Sequence, residues 1–366
     1  MTRPRSIPGF SALACALALA GCGGDDASQA ASTGGGGEAA TSASSSSMSS
    51  ASTAHTSSTG EGGGGSSSSS TGGGGAGGGA PAPRCTPHVR MLVQATNVDD
   101  VALDPDFAYY TVDNGGMPRG GVYKVSLDGG APVELTPSAQ PVGLALTQGL
   151  AIFGDDTGGI YSVPITGGAK TQITATHGAP AHLITDGTYV YFSDDQATKR
   201  VVLGGGTPET LSSAIGFSLA IDGEELVIAD FGGGNVDSAP LAGGGPTTML
   251  ATMQDGPLYP LVVDGDLVWA DAGDLMSGTG TLMRLSPGGM PITISSGFPL
   301  FRPHGLVFDG TNFYLTADSG PSIVKVPAAG GAPTVVAGVA SDSGIALSDA
   351  CVYFGDPADG LGVIAK

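Results

Sequence analysis

Val190–Leu211 reads VYFSDDQATKRVVLGGGTPETL. An apolar run ends at Asp194, a polar turn follows, and a second run leads through Gly204-Gly205 to a last short run. Just upstream, Leu183-Ile184-Thr185-Asp186-Gly187 is another short strand ending in a turn. Short runs separated by Asp and Gly turns, with no helical period, indicate all-β structure.

The unit recurs along the chain. Tyr191-Phe192-Ser193-Asp194 has counterparts in Tyr110–Asp113, Ile152–Asp155, Val227–Asp230, Val268–Asp271, Leu315–Asp318 and Tyr353–Asp356, with aspartates 36 to 47 residues apart. Glycine pairs mark a hairpin at the matching place, as at Gly129-Gly130, Gly243-Gly244 and Gly330-Gly331. Four strands per repeat of about forty residues make a β-propeller blade. The count predicts a seven-bladed propeller of four-stranded blades. The last repeat, Ser343 to Lys366, holds only three strands. Val89–Val93, at the other end of the domain, can supply the fourth, so an N-terminal strand is expected to close the last blade and leave no open edge.

The quoted unit resembles the YWTD-type propeller repeat, and Gly121–Thr136 (GVYKVSLDGGAPVELT) is similar to the repeats of TolB-like propellers. The resemblance implies the fold and a turn-capping role for the repeated aspartates. Both families usually close with six blades, one fewer than the count here. Such folds serve receptors, assembly factors and enzymes alike, so the resemblance bears on fold.

The chain before the repeats has a different character. Arg3 and Arg5 precede an apolar run from about Gly9 to Ala20, too short to span a bilayer, which is the pattern of a secretory signal. Leu19-Ala20-Gly21-Cys22 resembles the lipobox of bacterial lipoproteins. The resemblance implies that Cys22 is diacylated and begins the mature chain, and Gly23 after it implies outer-membrane sorting. The following stretch is mostly Gly, Ser, Ala and Thr, with too little apolar surface to offset its chain entropy. A flexible coil of about sixty residues has a root-mean-square span of roughly 40–45 Å. The expected organisation is a signal peptide over 1–21, a lipidated tether over 22–83 and a propeller over 84–366. The lipid bilayer is then a partner through the acyl anchor, on the periplasmic or cell-surface side of the outer membrane.

Charge narrows the remaining partners. Thirty-three Asp and Glu face thirteen Lys and Arg, for a net charge of −20. Nucleic acid and anionic head groups would be repelled. Of the four cysteines, Cys15 leaves with the signal and Cys22 carries lipid. Cys85 opens the closing segment and Cys351 lies in the second strand of the last blade. An oxidising compartment predicts a disulfide between them.

An aspartate present once per blade cannot be catalytic in every blade; it ends a strand and caps the next turn. Departures from the repeat are more telling. The longest interval between aspartates, Asp271 to Asp318, holds two expansions, Asp271–Gly280 within blade five and Phe298–His304 leading into blade six. Both lie on connections to one face of the ring. The expected binding patch is Asp271, Asp274, Arg302 and His304, with Trp269 one strand-step inward and His182 across the channel mouth. No Ser-His-Asp order, HExxH or CxxC motif occurs. The leading expectation is therefore a non-enzymatic binding or scaffolding propeller that presents this face to a protein or polar ligand. The alternative is a metal-dependent hydrolase or lyase with a divalent cation at the channel mouth. An oxygen-rich ring suits Ca2+, and a His with carboxylates suits a transition metal.

Overall fold

The computed structural model describes residues 84–113, 120–274, 279–297, 299–317, 323–339 and 343–366. The expected signal peptide, Cys22 and the tether lie outside these residues, as do Arg119, Asp318 and the side chain of Asp274.

The described strands form seven four-stranded antiparallel sheets, each a blade. Inner strands run Val98–Leu103, Pro141–Thr147, Ala181–Thr185, Ser218–Asp222, Pro257–Val263, Pro303–Phe308 and Ile345–Leu347 for blades one to seven. Each packs on the next, and Ile345–Leu347 packs on Val98–Leu103, so the inner strands ring a central channel. In six sheets the strands follow chain order from the inside outward. The seventh runs Ile345–Leu347, Cys351–Asp356, Gly360–Ala365 and then Arg90–Gln94.

Burial explains the sequence pattern. A blade's second strand has a neighbouring blade on both faces and no side to reserve for water. Hence the unbroken apolar runs: Phe107–Val112 and Tyr189–Ser193 are buried from their second residue onward. Outer strands differ, since Val133–Pro137 and Thr171–Ala175 begin exposed and turn inward only in the middle. The core is seven apolar clusters, one between each pair of adjacent blades. One of them joins Val98, Val101 and Tyr110 of blade one to Tyr353, Leu361 and Val363 of blade seven. A side chain such as Phe192, fully buried between blades two and three, contributes about 1.5–3 kcal/mol by burial alone. Truncating it to Ala costs about 3–5 kcal/mol, because a cavity adds to the lost transfer energy.

Turns at both ends of the second strands use aspartate in the expected way. Asp186 Oδ1 accepts the N–H groups of Thr188 and Tyr189, both at 2.7 Å, and its Oδ2 accepts the Tyr191 hydroxyl at 2.9 Å. Asp104 repeats this with Asp106, Phe107 and the Tyr109 hydroxyl. At the far end, Asp356 Oδ1 accepts from Ala358 and Asp359 at 2.9 and 3.0 Å.

Cys85 and Cys351 form a disulfide. It pins the segment before Arg90 to the second strand of blade seven. The loop-entropy model puts the ceiling for so long a loop at about 5 kcal/mol.

Candidate functional site

Strand pairing is least regular where the chain meets the channel. In five of the seven blades the inner strand slips register against the second strand. The slips fall between Val98 and Val101, Val142 and Leu144, Ala181 and Ile184, Leu258 and Leu261, and Pro303 and Gly305. A bulge frees residues from the ladder and re-aims their side chains. Asp99, Asp100, Gly143, His182, Tyr259 and His304 all fall within these slips. Blades four and seven keep their register.

Two of the released side chains meet, from blades three and five, and a third, from blade one, acts on both through its charge. The His182 and Tyr259 rings contact edge to face, 5.6 Å between centroids. Asp100 interacts electrostatically with both His182 and Tyr259. All three are half-buried.

Their supports come from the surrounding blades. The Asp100 carboxylate accepts the N–H groups of Val101, at 2.8 Å, and of Leu144 in blade two. The Asp100 N–H donates to Thr111 Oγ1 at 3.0 Å. Blade seven approaches at Gly344, where an added Cβ would collide with Asp100 Oδ1. Tyr259 donates its backbone N–H to Ser218 Oγ of blade four at 2.6 Å and holds a φ of 50°. A tyrosine in the left-handed region is a strained backbone held by its surroundings, and such strain concentrates at functional sites.

Electrostatics set the protonation of the group. Burial pushes Asp100 up, against the opposing pull of His182 and the two backbone N–H groups. Burial pushes His182 down, with Asp100 opposing, which favours the neutral imidazole. Burial and the charges of Asp100 and Asp99 raise Tyr259, so its hydroxyl stays protonated. His182 Nδ1 is sealed from solvent and has no hydrogen-bond partner among the described residues. The set can therefore accept and donate hydrogen bonds, and it places the imidazole within the field of the Asp100 carboxylate.

The patch expected from the loop expansions is arranged differently. Trp269 is fully buried and donates its indole N–H to Asp271 Oδ1 at 3.0 Å, while Asp271 is itself only 5 % exposed. The two bond each other inside blade five, with Trp269 inward of the loop as its strand position predicts. Arg302 does meet the blade-five expansion, through its backbone N–H on Ala272 O at 3.0 Å, and has a φ of 46°. The side chain of Asp274 lies outside the described residues. His304 sits half-buried in the blade-six bulge. His182 lies in the inner strand of blade three, in ring contact with Tyr259 and in the field of Asp100, neither of which was singled out from the sequence. A usable signal was present: Asp99-Asp100 puts two charges in an inner strand.

A shallow hollow of about 520 Å³ lies elsewhere, lined by Met91, Gln94, Ala95, Thr96, Ala358 and Asp359 beside the outer strand of blade seven. It holds a single carboxylate, Asp359, and no imidazole. Among the described residues no group of three His, Cys, Asp or Glu side chains is placed to hold a metal ion. The cation of the alternative expectation therefore has no ligand set there.

Fold and site together define a seven-bladed β-propeller with a polar group on its axis. No protein-family model and no curated protein matches the chain. Solved structures do resemble it. A catalytically inactive virginiamycin B lyase from Staphylococcus aureus, solved with quinupristin, is similar at a TM-score of 0.63 and 13% identity, over 76% of this chain and 99% of that one. A streptogramin B lyase structure has a TM-score of 0.63 at 12% identity, over 75% and 96%. A nidogen/laminin complex has a TM-score of 0.47 at 16% identity, over 60% and 89%, too loose to carry weight. At these identities the likeness establishes the propeller fold.

Proposed function

We propose that this protein is a membrane-tethered binding propeller whose ligand site is the axial group of Asp100, His182 and Tyr259. One observation carries the reading: three polar side chains from three non-adjacent blades converge on the channel. Buried polar groups cost stability unless something satisfies them, and here the backbone bulges to bring them in. The tether rests on the lipobox resemblance and the low-complexity stretch after it. The closing role of Arg90–Gln94 is supported by its pairing with Gly360–Ala365 and by the nearby disulfide.

A second reading has its own support. A carboxylate beside a neutral imidazole is suited to proton transfer, and two of the similar folds belong to lyases. In this reading His182 is the general base and Asp100 tunes it, with no metal required of the chain.

The test is a thermal-shift screen of charged and polar small molecules on the full chain, on Asp100→Asn and on His182→Gln. A ligand of the axial site raises the melting temperature of the parent and loses most of that shift in both variants. Hits that shift all three proteins equally would move the site elsewhere. Turnover of a hit by the parent but not by His182→Gln would favour the second reading. The anchor is tested by Cys22→Ser, which should leave an unlipidated precursor; a mature, signal-free form that still fractionates with membranes would overturn it.

A further inference from the structure

We propose that the axial site takes the cationic head of an organic ligand, an amine or quaternary ammonium, with carboxylates as counter-charge and aromatic rings as walls. The inference rests on the axial reading above and names its ligand class. The walls come first. Tyr259 packs edge to face with His182 on one side and with Phe217 on the other, at 5.6 and 6.5 Å. Phe217 continues to Phe231 at 6.1 Å, and these rings are only half-buried. A row of partly open aromatic rings beside a carboxylate offers both parts of a cation site, the negative ring faces and a full opposite charge. His182 Nδ1, sealed among these groups without a hydrogen-bond partner, is a polar atom that protein packing leaves unsatisfied.

Long-range charge selects in the same direction. Burial, and then the charges of Asp113, Asp155 and Asp195 around the ends of second strands in blades one to three, raise Asp156 above the usual carboxylate range. Two lysines of blades two and three are engaged by strand-end carboxylates: Lys199 with Asp194 at 2.7 Å and Lys170 with Asp155 at 3.8 Å. Such a field gathers cations at the mouth and repels anions. A compact metal ion would need several ligating side chains together, and among the described residues none are so placed. A diffuse organic charge needs one carboxylate and the rings.

Saturation-transfer NMR on the full chain can test this with three probes of similar size: phenethylammonium, 2-phenylethanol and 3-phenylpropionate. The cation should bind at least about tenfold more tightly than the alcohol, and the anion should not compete. Asp100→Asn and, separately, Tyr259→Leu should each weaken the cation about tenfold or more, with circular dichroism confirming that each variant is folded. Asp222→Asn, at the exposed end of the inner strand of blade four, should change nothing. If the alcohol or the anion binds as well as the cation, and that binding depends on Asp100, the axial site stands and the cation class falls. If the cation binds equally to both variants, the axial reading falls with it. Failure of all three probes at millimolar concentration also overturns the cation class.

Discussion

Asp194 and Asp271 close the second strands of blades three and five at the same place in the repeat, and their carboxyl groups sit in opposite environments. Both are buried, at 4 % and 5 % exposure. Burial raises Asp194, but a hydrogen bond from the Lys199 ammonium and N–H groups from His177, Gln196 and Ala197 outweigh it and hold the carboxyl below its ordinary range. Burial raises Asp271 too, and there only the Trp269 indole, a backbone N–H of Asp255 and a long contact from Thr281 oppose it, while the Asp255 charge adds to it. Asp271 is pushed up to about 6. The difference is a cation. Where the repeat supplies a lysine and a tight turn, the strand-end aspartate stabilises the blade as a charged cap. Where the loop is expanded, the same residue becomes a poorly compensated carboxyl inside the protein.

The largest expected effect comes from breaking the well-compensated member. Asp194→Ala strands a Lys199 side chain that is only 12% exposed, and losing one partner of a buried pair costs about 3 kcal/mol. Chemical denaturation should show that loss while the axial site binds its ligand unchanged. A variant within about 0.5 kcal/mol of the parent would remove the contrast.

Asp271→Asn should act in the opposite direction. The amide oxygen can still accept the Trp269 N–H, and the charge is gone. The folded-state value lies above the unfolded one, so the protonated carboxyl favours the fold at low pH. Its contribution is complete below about pH 4 and is lost as pH rises through about 6. Asn should therefore be more stable than the parent by about 1–2 kcal/mol at pH 8 and nearly equal to it at pH 4. Parallel stability curves for the two proteins across that window would contradict the raised carboxyl.

The smallest effect sharpens the capped class from within. Tyr191→Phe removes the hydroxyl donated to Asp186, worth about 1 kcal/mol at neutral pH. Asp186 is held below its ordinary range by bonds that include this one, so its stabilisation is lost as pH falls through its depressed value. The gap between parent and variant should close in acid. A gap that persists unchanged there would mean the hydroxyl acts through packing alone.

How much of this was readable beforehand follows the range of the interactions involved. Asp186, Asp194 and Asp356 bond N–H groups two and three residues ahead, so their role is written in the local sequence. The apolar runs and glycine pairs are equally local, and they were enough to count blades. Cys85 and Cys351 could be paired because the repeat count already put them in one blade. Trp269 and Asp271 are buried because a second strand is covered on both faces, and a loop expansion next to them says nothing about it. Tyr259 looks in sequence like an unremarkable member of an inner strand, and the Asp99-Asp100 pair marks an inner strand without saying what it faces. Their place on the axis comes from two things no local pattern encodes. One is a slipped register, which shifts a side chain from the ladder toward the channel. The other is closure of the ring, which alone brings blades one, three and five to a common centre. Sequence decided the unit and its number, because short-range hydrogen bonds and local apolar runs decide those. Tertiary structure decided the site, because a site on a propeller's axis exists only once every blade is in place.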